Sequence, residues 1–93
     1  MSAYIIFDSN VKDMEKVKTY SASAGKLVAA HGGEFLAKGP VEVLSGDSDY
    51  KLLVLIAFPS MDSALGFYHS DEYQALIALR EEAMSSVVKI IGG

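Results

Sequence analysis

Residues Leu52 to Phe58 read Leu-Leu-Val-Leu-Ile-Ala-Phe, apolar at every position and closed by Pro59. Such a run is far too short to cross a bilayer. Read as the core of a strand from Tyr50 to Phe58, it turns Leu52, Val54, Ile56 and Phe58 to one side. Leu53, Leu55 and Ala57 turn to the other. Ala3 to Phe7 repeats the pattern, with Tyr4 and Ile6 opposed to Ile5 and Phe7. Strands apolar on both faces need cover on both faces, and in a two-layer fold helices cover only one.

The remaining elements leave no strands for a second sheet. Asn10 is a candidate helix cap, with Asp13 three residues on as a weaker capping-box acid. Met14, Val17, Ser21, Ala24 and Val28 then recur at helical steps, ending at Gly32-Gly33. Gly25 inside this helix predicts close approach to another backbone. Glu34 to Lys38 reads as a strand, with Val41 to Leu44 extending or following it past Gly39-Pro40. Ser45 to Asp49 is a polar turn. Ser60 caps a short helix to Tyr68, Ser70 caps a second to about Ser85, and Val87 to Ile91 is the last strand. The order predicts a single α+β domain over residues 1–93, a ferredoxin-like βαββαβ two-layer sandwich. The uncovered sheet face predicts a homodimer, since a second copy supplies the missing sheet. The composition agrees: 51% hydrophobic residues is high for 93 residues, and the excess needs an interface.

Charge narrows the partners. Eight Lys and Arg against 12 acids give a net charge of −4. Lys12, Lys16, Lys18 and Lys26 are interrupted by Asp13 and Glu15, as on a solvated helix face, so nucleic acid is not expected. No cysteine is present, which removes disulfides and thiolate chemistry. The opening Met1-Ser2-Ala3-Tyr4 lacks a basic leader and no apolar run suits a bilayer, so a cytoplasmic location without a membrane partner is expected. His31 and His69 are isolated from each other and from acid clusters, so neither a metal nor a cofactor is expected. No phosphate loop, dinucleotide fingerprint or Ser-His-Asp order occurs.

Tyr73, Leu76, Ile77, Arg80 and Met84 share one helical stripe, which points Arg80 inward. A buried guanidinium needs a carboxylate or a bound anion, with Glu42 and then Asp8 as the protein candidates. His69, beside the Ser70 cap, is the one candidate general base. Tyr20, Tyr68 and Tyr73 offer apolar bodies with polar tips. The candidate ligand-binding set is therefore Tyr20, Glu42, Tyr68, His69, Tyr73 and Arg80, for a small anionic or carboxylate ligand. The competing reading is a non-catalytic dimeric structural or interaction module in which these groups are merely core.

Gly32-Gly33-Glu34-Phe35-Leu36-Ala37-Lys38-Gly39, Ile56-Ala57-Phe58-Pro59-Ser60 and Phe67-Tyr68-His69-Ser70-Asp71-Glu72-Tyr73-Gln74, followed by Arg80, carry a resemblance. With Tyr4 and Tyr20 they resemble the family called domain of unknown function 1330, within the dimeric α/β-barrel superfamily. The resemblance implies a ferredoxin-like subunit, a barrel made by two sheets, and a cavity between each sheet and its helices. It also implies relatives that include cofactor-free monooxygenases, lactone isomerases and haem-degrading enzymes. Tyr50-Lys51 stand where the family usually has Trp and Arg, and Asp71 replaces the usual Pro. Ile91 stands where an acid often precedes the terminal glycine. Ligand chemistry that depends on those groups is not carried over.

Overall fold

The computed structural model describes residues 2–93. Strand β1 (Ala3–Val11) leads to helix α1 (Met14–Ala30), strand β2 (Glu34–Pro40) and strand β3 (Leu52–Phe58). Helices α2 (Met61–His69), α3 (Asp71–Gln74) and α4 (Ile77–Ala83) follow, and strand β4 (Met84–Gly92) is the last element. The strands form one four-stranded antiparallel sheet in the order β2-β3-β1-β4, the ferredoxin-like arrangement. The sheet is open and does not close into a barrel; four twisted strands are too few to meet edge to edge. Among the described residues no helix is long and apolar enough to cross a membrane.

The two-faced strands resolve as follows. Ile5, Phe7, Ile56 and Phe58 are buried beneath the helices, together with Ala24 and Val28 of α1 and Ala64 and Phe67 of α2. Tyr4, Ile6, Leu53, Leu55 and Ala57 occupy the opposite face and are only half-buried within the chain. Val87 and Ile91 lie on that same open face, more exposed still.

Local chemistry sets the ends of the elements, and here several expectations are corrected. The cap of α1 is Asp13, whose Oδ1 accepts from the amides of Glu15 and Lys16 at 3.1 and 3.3 Å. Asn10 is instead inside β1, where its side chain donates to Asp49 O and accepts from Lys51 N. A bidentate amide can satisfy a strand end as readily as a helix end, and spacing does not distinguish the two uses. Met14 is exposed while Tyr20 is buried, so the inward face of α1 is rotated towards Tyr20. Gly32 takes a φ of 75°, and Gly33 N donates to Val28 O, closing the helix. Val41 to Leu44 is exposed chain rather than strand, since only the bond from Val41 N to Lys51 O continues the β2–β3 ladder.

The expected helix from Ser70 to Ser85 is broken into α3 and α4, and β4 begins at Met84. Val11 pairs with Met84 in the β1–β4 register, so ladder bonds claim residues that the helical period had assigned to the helix. Gly25 approaches no backbone; a Cβ there would meet nothing within 4 Å.

Candidate functional site

Two serines place the centre of the site. Ser60 caps α2 by accepting from Ser63 N. Ser70 then stops α2 and starts α3, donating to Phe67 O at 2.8 Å and accepting from Tyr73 N at 3.1 Å. This tight junction fixes Tyr73 one turn into α3, fully buried against Phe67 at a centroid distance of 4.8 Å. Helix α1 packs against α3 and α4, which brings Tyr20 opposite Tyr73.

The phenolic oxygens of Tyr20 and Tyr73 are 2.6 Å apart. Arg80 Nη1 donates to the Tyr73 hydroxyl at 3.0 Å and to the Tyr68 hydroxyl at 3.2 Å. Its guanidinium carbon lies 5.9 and 6.0 Å from the centres of those two rings, within cation–π range. Arg80 is only 8% exposed, so it does point inward. Its partners are phenols rather than the expected acids. Glu42 follows β2 at one edge of the sheet, whereas α4 leads into β4 at the other. Asp8 lies on the open face and pairs with Lys89 at 2.9 Å. None of the ion pairs among the described residues includes Arg80.

Burial pushes the Tyr20 phenol well above its ordinary pKa, and the neighbouring Tyr73 adds to the effect. Burial raises Tyr73 as well, against the opposing pull of its hydrogen bonds with Tyr20 and Arg80. For Arg80, burial works against the charge, but the bonds to Tyr68 and Tyr73 outweigh it and hold the guanidinium above its usual value. The cluster is thus a neutral phenol pair beside a fixed cation. That cation makes Tyr73 the better donor, which leaves the proton of Tyr20 for a second acceptor.

A cavity of 490 Å³ lies between α1 and the sheet, within the usual size range of small-molecule sites. Phe7, Val28, Val54, Ile56, Phe67 and Met84 give it apolar walls, and Gly25 leaves it a bare stretch of helix. Tyr20, Ser9, Ser21 and Lys38 are its polar residues. Ser9 is buried, with its hydroxyl 2.9 Å from that of Ser86 across the β1–β4 pair. Of the six residues singled out in the sequence, Tyr20 alone lines this cavity; Tyr73, Arg80 and Tyr68 stand behind it in one hydrogen-bonded chain. Tyr68 and the exposed His69 border a smaller cavity of 190 Å³ between α2 and the β1–β4 strands. Glu42 borders neither. Sequence reasoning missed Ser9, Ser21 and Lys38 as lining residues. Ser9 and Ser21 signal only as polar residues on the inward faces of β1 and α1, and Lys38 reaches the helix side only through an irregularity in β2.

Over residues 2–93 the chain matches the model of the family described as domain of unknown function (DUF1330), and it belongs to that family. No curated protein shows significant sequence similarity to it. Solved structures share its fold. One is a protein of unknown function from Rhodopseudomonas palustris, with a TM-score of 0.80, 15% identity and coverage of 99% of this chain and 82% of that one. Another is a dimeric ferredoxin-like protein of unknown function from Jannaschia sp. CCS1, with a TM-score of 0.77, 14% identity and 100% of both chains covered. A third is SnoaB, a cofactor-independent oxygenase from Streptomyces nogalater, with a TM-score of 0.71, 10% identity, and 99% and 92% covered. At these identities the likeness extends to the fold.

Proposed function

We propose that this chain is a single-domain, homodimeric small-molecule-binding protein whose ligand occupies the cavity between α1 and the sheet. The observation that carries the reading is a 490 Å³ space with apolar walls and few polar groups, backed by the Arg80–Tyr73–Tyr20 chain. Sites that bind small molecules combine apolar walls with a few fixed polar groups in this way. Arg80 acts through the hydroxyl of Tyr73, setting the donor direction of Tyr20. The open sheet face, with Leu53, Leu55, Val87 and Ile91 uncovered, supports a dimer burying more than about 1,200 Å² in total. The dimeric state of the Jannaschia protein supports the same arrangement. SnoaB is compatible with cofactor-free chemistry on this fold, but His69, the candidate base, borders the smaller cavity, so binding is the function assigned.

Gly25→Leu tests the reading, because its side chain would project into the cavity where a Cβ meets nothing. A thermal-shift screen of small aromatic and aliphatic compounds should find members that raise the Tm of the wild type and leave Gly25→Leu unmoved. Equal shifts in both proteins, or none in the wild type, would overturn the reading.

A further inference from the structure

Strand β2 contains a register irregularity. Phe35 pairs with Ile56 and Ala37 with Leu55, so Leu36 is an extra residue and Lys38 falls opposite Val54. In an unbroken antiparallel ladder Lys38 would oppose Leu53 and face away from the helices. The bulge reverses that parity, so Phe35 and Lys38 both lie on the helix side, and both line the cavity. Bulges recur beside functional sites because they re-aim a side chain in this way.

Lys38 is exposed at the cavity's edge, and no acid among the described residues pairs with it. Lys16 pairs with Glu82, Lys18 with Glu15 and Lys89 with Asp8; Lys38, like Lys12, Lys26 and Lys51, is in none of the ion pairs among the described residues, and of these four it alone lines the cavity. Among the described residues it is also the one charged residue that lines the cavity. The protein as a whole carries −4, so its long-range field repels anions and any attraction must come from this local cation. We infer that Lys38 receives the charged end of the ligand and that the ligand is an amphipathic monocarboxylate, its apolar body lying along Phe7, Val28, Val54 and Ile56. One ammonium suits one negative charge; a doubly charged phosphate would call for further donors.

This inference rests on the cavity being a ligand site, and its test separates the two. Octanoate, 1-octanol and octylamine are titrated calorimetrically into wild type, Lys38→Met, Lys38→Arg, Lys26→Met and Gly25→Leu. Lys38→Met keeps an apolar stem while removing the charge, and Lys26→Met makes the same change on exposed α1 away from the cavity. Octanoate should bind the wild type more tightly than either neutral or cationic probe. Lys38→Met should lose about fivefold in octanoate affinity, with Lys38→Arg and Lys26→Met close to wild type. Binding of 1-octanol should be the same in Lys38→Met as in the wild type. If octanoate and 1-octanol bind alike and Lys38→Met changes neither, the role of Lys38 is overturned while the cavity stands. If no probe binds the wild type, or all bind Gly25→Leu equally, the cavity reading itself falls and the inference with it.

Discussion

The hydroxyls of Tyr20 and Tyr73 meet at 2.6 Å, one from α1 and one from α3, and Arg80 holds the second of them from α4. Tyr73 is the hub of this chain and Tyr20 its end. Tyr73→Phe strands two groups, since Tyr20 loses its partner and Arg80 loses one of two acceptors. The expected loss is about 1–3 kcal/mol. Tyr20→Phe strands only the proton of Tyr73, whose oxygen stays bonded to Arg80, and should cost less, about 1 kcal/mol. Urea unfolding of both variants checks the order. Equal costs, or a larger cost for Tyr20→Phe, would show that Tyr73 is not the hub.

The same pair predicts an alkaline limit to stability. Tyr20 and Tyr73 have folded pKa values raised above the ordinary 10.0, so the fold favours their neutral forms. Below about pH 10 both folded and unfolded chains keep these protons, and the stabilisation is complete. Above it the unfolded chain releases protons that the folded chain retains, so stability falls as pH rises. Lys16, raised by its bond to Glu82, acts in the same direction, so the measurement is a comparison between variants. The fall between pH 9 and 11 should be shallower in Tyr20→Phe than in the wild type. Identical slopes would remove Tyr20 from the account.

Arg80 should tolerate no simple replacement. Arg80→Ala removes two charge-assisted bonds and the packing of the stem, for an expected loss of about 2–4 kcal/mol. Arg80→Lys should recover part of this, because an ammonium lacks the planar fork and stacks less well on Tyr68 and Tyr73. Arg80→Met offers the sharper comparison. With no buried carboxylate to be left alone, its cost should stay below that of Arg80→Ala. Chemical denaturation ranks the three, and a cost for Arg80→Met above that of Arg80→Ala would point to an unrecognised anionic partner.

How far the site could be read from the sequence follows from these residues. The inward direction of Arg80 was legible because its stripe contains Tyr73 and Leu76. Its partners were not, because choosing between Glu42, Asp8 and a phenol requires the strand order, which no local pattern encodes. The apolar faces of β1 and β3 were legible as period-two alternation, but which face meets the helices depends on register. Lys38 was hidden for a related reason. One extra residue in β2 inverts the side on which it falls, and the segment's alternation is too irregular to announce a bulge.

The open sheet face predicts a separation between association and folding. Leu55 is half-buried and faces away from the helices, whereas its neighbour Ile56 is buried beneath them. Leu55→Asp should therefore give a folded monomer, with the dimer weakened by at least about tenfold. Ile56→Asp should fail to fold, since a lone carboxylate would enter the core. Sedimentation velocity with circular dichroism distinguishes the two. A wild type that is monomeric at micromolar concentration would refute the dimer outright.

Two glycines predict opposite signs for the same substitution. In Gly25→Ala the added methyl meets nothing within 4 Å, because the residue faces the cavity. Only helix propensity changes, and the variant should gain about 1 kcal/mol. In Gly33→Ala the methyl would stand 2.7 Å from Phe58 Cε1 and 2.7 Å from Val28 Cγ1, two side chains buried in the core. Phe58 cannot retreat without disturbing Phe67, whose ring centre lies 5.3 Å from its own, and Val28 yields only by giving up core packing towards the cavity it lines. The expected loss is about 1–3 kcal/mol from overpacking. Both values come from urea unfolding at one pH, and the contrast matters more than either number. A destabilised Gly25→Ala would mean that the helix face there is already filled, and that the cavity is smaller than 490 Å³ in solution.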